Sequence, residues 1–431
     1  MRSAGQNWPS EFRGFLSAGA RYIGCLPLRM LALVFLCTHT IGFSVPAAPC
    51  SEPPARRTEG LAVIPPATDD DNEVRLGRQN AEEHDRQVKL ITDPAIVERV
   101  NRIGQEIAAI ANTVPIPARW GSSQLKQFRY SFKVVDDKDV NAYSLPGGFI
   151  YVNKGLLDFV RSDDELAGVL AHEVAHAAHH HMMKLLREQS RIDRATLPLR
   201  LLAMGLLIGK PGANANDAQN LLLATQLYAI ARINSYGIEA EKDADHMAIH
   251  LLLRTRYNPV GLYSFMSRLA LLERSKIAVD LGIFRTHPPG EERVAAAQEL
   301  LADLNIPIRL SEVDPTLQAT VTMVPGPDGD TRLAEIRFRD IVLCRVAADS
   351  KYSAQERGQQ IARRLTALID TRLMPFEVRT SADQTRVLVR GTPLLTATDA
   401  RAQNKTVPQL ARELADAILQ VTQSRLLLSA Q

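Results

Sequence analysis

The stretch that decides the fold is Ser162-Asp163-Asp164-Glu165-Leu166-Ala167-Gly168-Val169-Leu170-Ala171-His172-Glu173-Val174-Ala175-His176. Leu166, Val169, Leu170 and Val174 recur at three- and four-residue spacing, which predicts a helix continuing to about Arg187. Ser162 followed by Glu165 is a capping-box start for it. On that helix His172 and His176 are one turn apart and point the same way, so both imidazoles can reach one metal ion. Glu173 is rotated by roughly 100° from His172. It stands beside the metal, where a carboxylate can take a proton from water and pass it to a leaving amine. A metal that lowers the pKa of its water to about 7 makes this feasible at neutral pH. H-E-x-x-H alone is a short string that chance can produce, and a helix continuing into His179, His180 and His181 could be a solvated face. A third ligand is required.

One way to supply it needs Gly at position 179 and His at position 182; the chain has His179 and Met182 there, so that pattern fails. The other is a carboxylate from a second helix. Glu241-Lys242-Asp243-Ala244-Asp245 places Glu241 and Asp245 four apart on one face of a long helical segment. Glu241 can close a His2Glu site with one position open. Asp245 can accept the second ring N–H of a ligand histidine and fix its tautomer.

At these residues the chain resembles a family of zinc metallopeptidases. Its members include the heat-shock protease HtpX, the CAAX prenyl proteases and the BepA-like periplasmic protease-chaperones. The resemblance rests on Asn141-Ala142-Tyr143-Ser144-Leu145-Pro146-Gly147-Gly148-Phe149-Ile150-Tyr151-Val152, the His172–His176 motif with His181 five residues on, Tyr236 through Asp245, and Thr286-His287-Pro288-Pro289 followed by Arg293. Their order covers roughly residues 73–305. The resemblance implies one Zn2+ per chain on His172, His176 and Glu241, with Glu173 as catalytic acid/base. It implies that His287 faces the active site, donating to a developing oxyanion or filling the open zinc position at rest. It also points to 147–152 (Gly147, Gly148, Phe149, Ile150 and Tyr151) as an edge strand that holds a peptide substrate extended. Gly237-Ile238 departs from the Ser-Arg that many members carry. The fold class implied is α+β: a mainly helical zincin-type (gluzincin) catalytic domain with a small β-sheet, followed by a small α+β accessory domain.

Composition sets limits on the rest. Of the formal charge of +3, all is accounted for by Arg2, Arg13, Arg21 and Arg29 against Glu11 in residues 1–48. Residues 49–431 are near neutral, and nothing in them asks for nucleic acid. Cys25, Cys37, Cys50 and Cys344 form no disulfide framework and lack zinc-ligand spacing. Residues 1–48 read as an export signal or N-terminal anchor: basic residues end at Arg29, Met30 to Cys37 is apolar, and Ser44-Val45-Pro46-Ala47-Ala48 offers small residues for cleavage. Cleaved signal, uncleaved anchor and a lipoprotein lipidated at Cys50 all place the remainder in the periplasm or cell envelope.

Residues 49–72 are a Pro-rich linker and 73–310 the expected catalytic domain. Helices are predicted over 73–90 and 94–112, strands over Tyr130–Val135 and Phe149–Val152. Leu197 to Ile208 is apolar except for Arg200. As a helix it would reach about 18 Å against a hydrocarbon core of about 30 Å, which makes it core or lid, with surface contact to a membrane an open alternative. Gly209 to Asn216 reads as a loop, and a helix over 217–254 carries Glu241. His246 and His250, four apart, have no acidic third partner in sight and read as hydrogen-bonded or surface groups. Residues 311–331 read as a linker and 332–431 as an α+β module. That module has a strand around Ile336–Val346, a helix from the Ser353/Glu356 capping box, strands near 376–380 and 385–390, and a last helix from Pro408. It weakly resembles periplasmic modules adjoining mechanosensitive channels, through Thr396-Ala397-Thr398-Asp399-Ala400. The expected activity is an exported metalloendopeptidase acting on unfolded envelope proteins. The alternative is a catalytically quiet, zinc-containing chaperone or scaffold; a prenyl-peptide enzyme would require several membrane spans.

Overall fold

Asp71 and Asp93 each open a helix by accepting backbone N–H groups that the first turn cannot satisfy internally. In the computed structural model, which describes residues 67–68, 71–209, 215–274, 281–283, 287 and 290–430, these helices are α1 (Asn72–Gln87) and α2 (Pro94–Ala111). The export signal or anchor, most of the Pro-rich linker, the loop centre at 210–214 and residues 286, 288 and 289 of the His287 motif lie outside the described residues. Three short strands come next: β1 (Ser131–Val135), β2 (Ala142–Leu145) and β3 (Phe149–Asn153). Gly147 and Gly148, at φ of 78° and 89°, make the turn that reverses the chain from β2 into β3.

The order of this sheet is β1-β3-β2, with β1 parallel and β2 antiparallel to β3. This corrects the edge-strand expectation for 147–152. Phe149, Ile150, Tyr151 and Val152 are paired on both sides, so no row of free N–H and C=O groups remains there for a peptide. Tyr151 is completely buried, its hydroxyl donating to Asp85. Gly147 and Gly148 serve the turn. The edge strand beside the helix that carries the histidines is β2.

After α3 (Lys154–Phe159) comes that helix, α4 (Asp163–Ala178), with Ser162 accepting from the Glu165 amide as its cap. It is buried on nearly every side by α2, α6 (Ala215–Leu252) and α7 (Val260–Arg274). Leu166, Leu170, Val174, Ile103, Ile107, Ala248 and Leu251 form the centre of one apolar core. A Cβ on Gly168 would meet the Leu262 backbone at 2.7 Å, so Gly is what lets α4 and α7 approach.

The expected run of this helix to Arg187 is broken. α4 ends at His179, His180 takes a left-handed φ of 56°, and a new helix, α5 (His181–Gly209), starts in another direction. A left-handed non-glycine residue needs outside support. Glu73 at 2.7 Å and the Gln124 carbonyl at 3.1 Å hold the two ring nitrogens of His180. Leu197 to Leu201 lies within α5, with Leu197, Leu199 and Leu201 exposed. Among the described residues no helix is long and apolar enough to cross a membrane.

α8 (Glu291–Asp303) closes the helical part. The segment expected as a linker is structured. α9 (Leu310–Val313) and a single 3-10 turn (Pro315–Leu317) pack on the catalytic core, where Val313 is fully buried and Arg161 pairs with the buried Asp314. β4 (Thr320–Pro325) then joins β5 (Arg332–Phe338) and β6 (Ile341–Val346) in an antiparallel sheet. The single strand expected at 336–346 is thus the tail of β5, a turn at Arg339-Asp340 with φ of 53° at Arg339, and β6. α10 (Ala354–Asp370) carries the Ser353/Glu356 capping box. A second antiparallel sheet is built of β7 (Val378–Thr380), β8 (Arg386–Val389) and β9 (Thr392–Thr396). α11 (Ala397–Arg401) and α12 (Val407–Ala430) are the last helices. Asp399 is fully buried and paired through both oxygens with Arg357, at 2.7 and 2.9 Å, so the Thr396–Ala400 stretch is a structural joint of this module's core.

Candidate metal centre

α4 and α6 cross so that His172, His176 and Glu241 face one another. Nε2 of His172 lies 3.0 Å from Nε2 of His176, and Glu241 offers one carboxylate oxygen to each, both at 3.2 Å. His172 turns its other nitrogen, Nδ1, to Asp245 Oδ1 at 2.9 Å. A carboxylate is an acceptor only, so its closeness favours a proton on Nδ1 of His172, and with that proton in place Nε2 is the nitrogen that would face a metal.

His176 likewise aims Nε2 inward. Two lone pairs 3.0 Å apart beside a carboxylate repel unless positive charge stands among them. Nitrogen and oxygen donors from three side chains suit Zn2+. The residues present therefore fit the ion, and they are His172, His176 and Glu241.

The field of the site agrees. Burial opposes charge on His172, but Glu241 and Asp245 outweigh it and push its pKa up to about 10, so the site draws positive charge to Nε2 and a metal bound there would displace a proton. Burial pushes His176 down to about 3, leaving it a neutral donor. Burial alone would raise Glu241; His287, His176 and His172 instead hold it well below the usual carboxylate range. Asp245 is also held below its ordinary value, against burial, chiefly by Arg293 from α8. Two carboxylates drawn to one guanidinium leave negative charge that a divalent cation balances.

Glu173 is 1% exposed and points into the same space. Its Oε1 is 3.4 Å from His287 Nε2, and its Oε2 has no hydrogen-bond partner among the described residues. An unpartnered buried carboxylate oxygen is costly for stability and is what a proton acceptor in a closed site requires. His287 sits among the donors rather than outside them. Its Nδ1 is 3.0 and 3.1 Å from the two Glu241 oxygens and 3.3 Å from His172 Nε2. A cavity of about 30 Å³ opens beside Glu173 and His287 and is walled by Leu262, Phe265, Met266, Leu269, Ile283 and Val294.

Of the residues singled out from sequence, the fold brings His172, Glu173, His176, Glu241, Asp245 and His287 to one place. It takes Gly147, Gly148, Phe149, Ile150 and Tyr151 into a turn and a central strand. His246 and His250 meet edge to face, 4.5 Å between ring centres, and join no metal-holding group among the described residues. Sequence reasoning did not single out Asp243, and it named His181 and Arg293 only as parts of a motif. Asp243 sits between Glu241 and Asp245 but points away from them, to His179 and His181. Its alternation with the Glu241 face was the available signal. Ile238 is exposed at the surface.

Among known proteins, the model of Peptidase family M48 matches residues 95–301, and a domain of unknown function, DUF8459, matches residues 335–424. The putative beta-barrel assembly-enhancing protease of Vibrio cholerae is 29% identical over 210 residues, 49% of this chain and 40% of that protein. The beta-barrel assembly-enhancing protease of Escherichia coli K12 is 25% identical over 210 residues, 48% of this chain and 39% of its own length. Metalloprotease LoiP of Escherichia coli K12 is 28% identical over 214 residues and is covered to 78%. The chain thus spans about two fifths of the assembly-enhancing proteases it matches.

Proposed function

From the premise that residues 95–301 form a Peptidase M48 domain, we propose that this protein is an exported zinc metalloendopeptidase that cleaves unfolded or misassembled envelope proteins. The observation that carries the reading is the convergence of His172, His176 and Glu241 beside an unpartnered Glu173 oxygen. The names of the assembly-enhancing relatives support the envelope substrate.

His172, His176 and Glu241 would hold the ion, which when bound supplies Lewis acidity toward a peptide carbonyl and acidifies water. Glu173 Oε2 accepts the proton of the attacking water and returns it to the leaving amine. Asp245 keeps His172 in the tautomer that presents Nε2, and Arg293 keeps Asp245 in place. The edge of β2, packed on α4, offers backbone groups to an extended peptide independently of its side chains.

His287 closes the site in this arrangement. It shares Glu241 with the zinc-facing nitrogens and approaches Glu173, so its ring occupies the space a substrate carbonyl needs. Displaced from Glu241, it could donate to the oxyanion. The test of the reading is zinc content and cleavage of an unfolded protein, measured side by side in the wild type and in Glu173→Gln. Uncut but bound client with zinc in place would favour the scaffold alternative.

A further inference from the structure

Nδ1 of His176 lies 2.9 Å from Nδ1 of His181. Two ring nitrogens at that distance share one proton, which one donates and the other accepts. A nitrogen that gives its lone pair to a metal carries no proton. With Nε2 of His176 facing the metal, its proton is on Nδ1 and is donated to His181. The proton of His181 is then on Nε2, which meets Asp243 Oδ2 at 2.8 Å and the Trp120 carbonyl at 3.2 Å. Both of these are acceptors, so the arrangement is consistent at each end.

Asp243 is itself fixed. Its Oδ1 accepts from the Arg119 amide at 2.5 Å, and its Oδ2 accepts from His179 Nδ1 at 2.5 Å. Nε2 of His179 in turn meets the Ile116 carbonyl at 3.0 Å. The helix break creates this geometry. On an unbroken helix a residue five positions after His176 would be rotated by about 140° and point away. The left-handed turn at His180 brings His181 back over His176. These side chains are sealed from solvent, with Asp243 0% and His181 1% exposed.

We propose that His181, anchored by Asp243, is a positioning residue that holds His176 in the tautomer presenting Nε2 to the metal. This rests on the metallopeptidase reading above. His179, His181 and Asp243 also stand close enough to be taken for a second metal set. Their ring nitrogens meet Asp243, His176 and the Ile116 and Trp120 carbonyls, contacts that an ion held there would have to displace.

The test compares His181→Leu, which removes the acceptor, with His181→Asn, whose side-chain oxygen takes the place of Nδ1. Zinc affinity is read by competition with a chromophoric chelator, and the fold of the zinc-free proteins by circular dichroism. His181→Leu weakens zinc binding by about 10–100-fold, and His181→Asn stays within a few-fold of wild type. Wild-type affinity in a folded His181→Leu overturns the proposal. Equal loss in a folded His181→Asn overturns it too, since the acceptor would then be irrelevant. Should His181→Leu not fold, nitrogen NMR of histidine-labelled, zinc-loaded wild type decides. Protons on Nδ1 of His176 and Nε2 of His181 support the assignment, and any other placement overturns it, as does a second tightly bound zinc per chain. A wild type that binds no zinc removes the metallopeptidase reading, and this inference falls with it.

Discussion

Arg293 grips Asp245 with two nitrogens, Nε to Oδ2 at 2.7 Å and Nη2 to Oδ1 at 2.8 Å, while its Nη1 reaches Glu241 at 2.9 Å. One buried guanidinium thereby ties a metal-facing carboxylate to the carboxylate that orients a metal-facing histidine. Burial disfavours its charge, but Asp245 and Glu241 more than compensate and raise its pKa.

Removing that cation strands two buried carboxylates. Arg293→Met should destabilise the protein by about 3–5 kcal/mol in denaturant titration and weaken zinc binding. Arg293→Lys keeps the charge but not the two-armed geometry, and should fall between. An unchanged midpoint and zinc content in Arg293→Met would show that the clasp is incidental.

His287→Ala should raise basal cleavage of an unfolded substrate several-fold. The ring is withdrawn from Glu241 and Glu173 while the three metal-facing groups stay. A peptide assay at matched zinc content checks it; a fall of roughly 10²-fold would instead mark His287 as an oxyanion donor.

A chain ending near Ile308 loses Val313, which is fully buried in the catalytic core, and Asp314, the partner of Arg161. It should be markedly less stable than one ending at Gln318, where the 3-10 turn is complete. Thermal melts of both decide; equal melting temperatures would make the α9 segment part of a true linker.

His246 carries a pH dependence of its own. Burial, with Arg119 and His250 adding to it, pushes its pKa down to about 4. The unfolded chain therefore binds the proton more readily. The stability due to neutral His246 is complete above about pH 6.5 and is lost as pH falls toward 4. His246→Gln should flatten that part of the melting-temperature profile of chelator-treated protein; parallel profiles for variant and wild type would refute it.

The candidate site was legible where its information is local. His172, Glu173 and His176 fall into place from helical spacing alone, and Glu241 and Asp245 from the same spacing on another helix. The features that were hidden depend on distant chain. The break at His179–His180 needs Glu73 and the Gln124 carbonyl to hold a left-handed histidine. The central position of Phe149–Val152 depends on which strands flank it, and no local pattern separates a central strand from an edge strand when both are short and apolar. In the C-terminal module, Ile336–Val346 reads as one strand because its turn, Arg339-Asp340, contains neither Gly nor Pro.

The most direct test is Glu173→Gln. Among the described residues Glu173 meets the metal-facing groups only through His287, so the variant should fold and keep the zinc content of wild type. The amide cannot accept the proton of water at neutral pH, and cleavage of an unfolded, casein-like substrate should fall by about 10²–10⁴-fold. Client binding should persist, since β2 is untouched. Cleavage at the wild-type rate by a zinc-loaded Glu173→Gln would contradict the account, and so would a zinc-loaded wild type that binds unfolded proteins and cuts none.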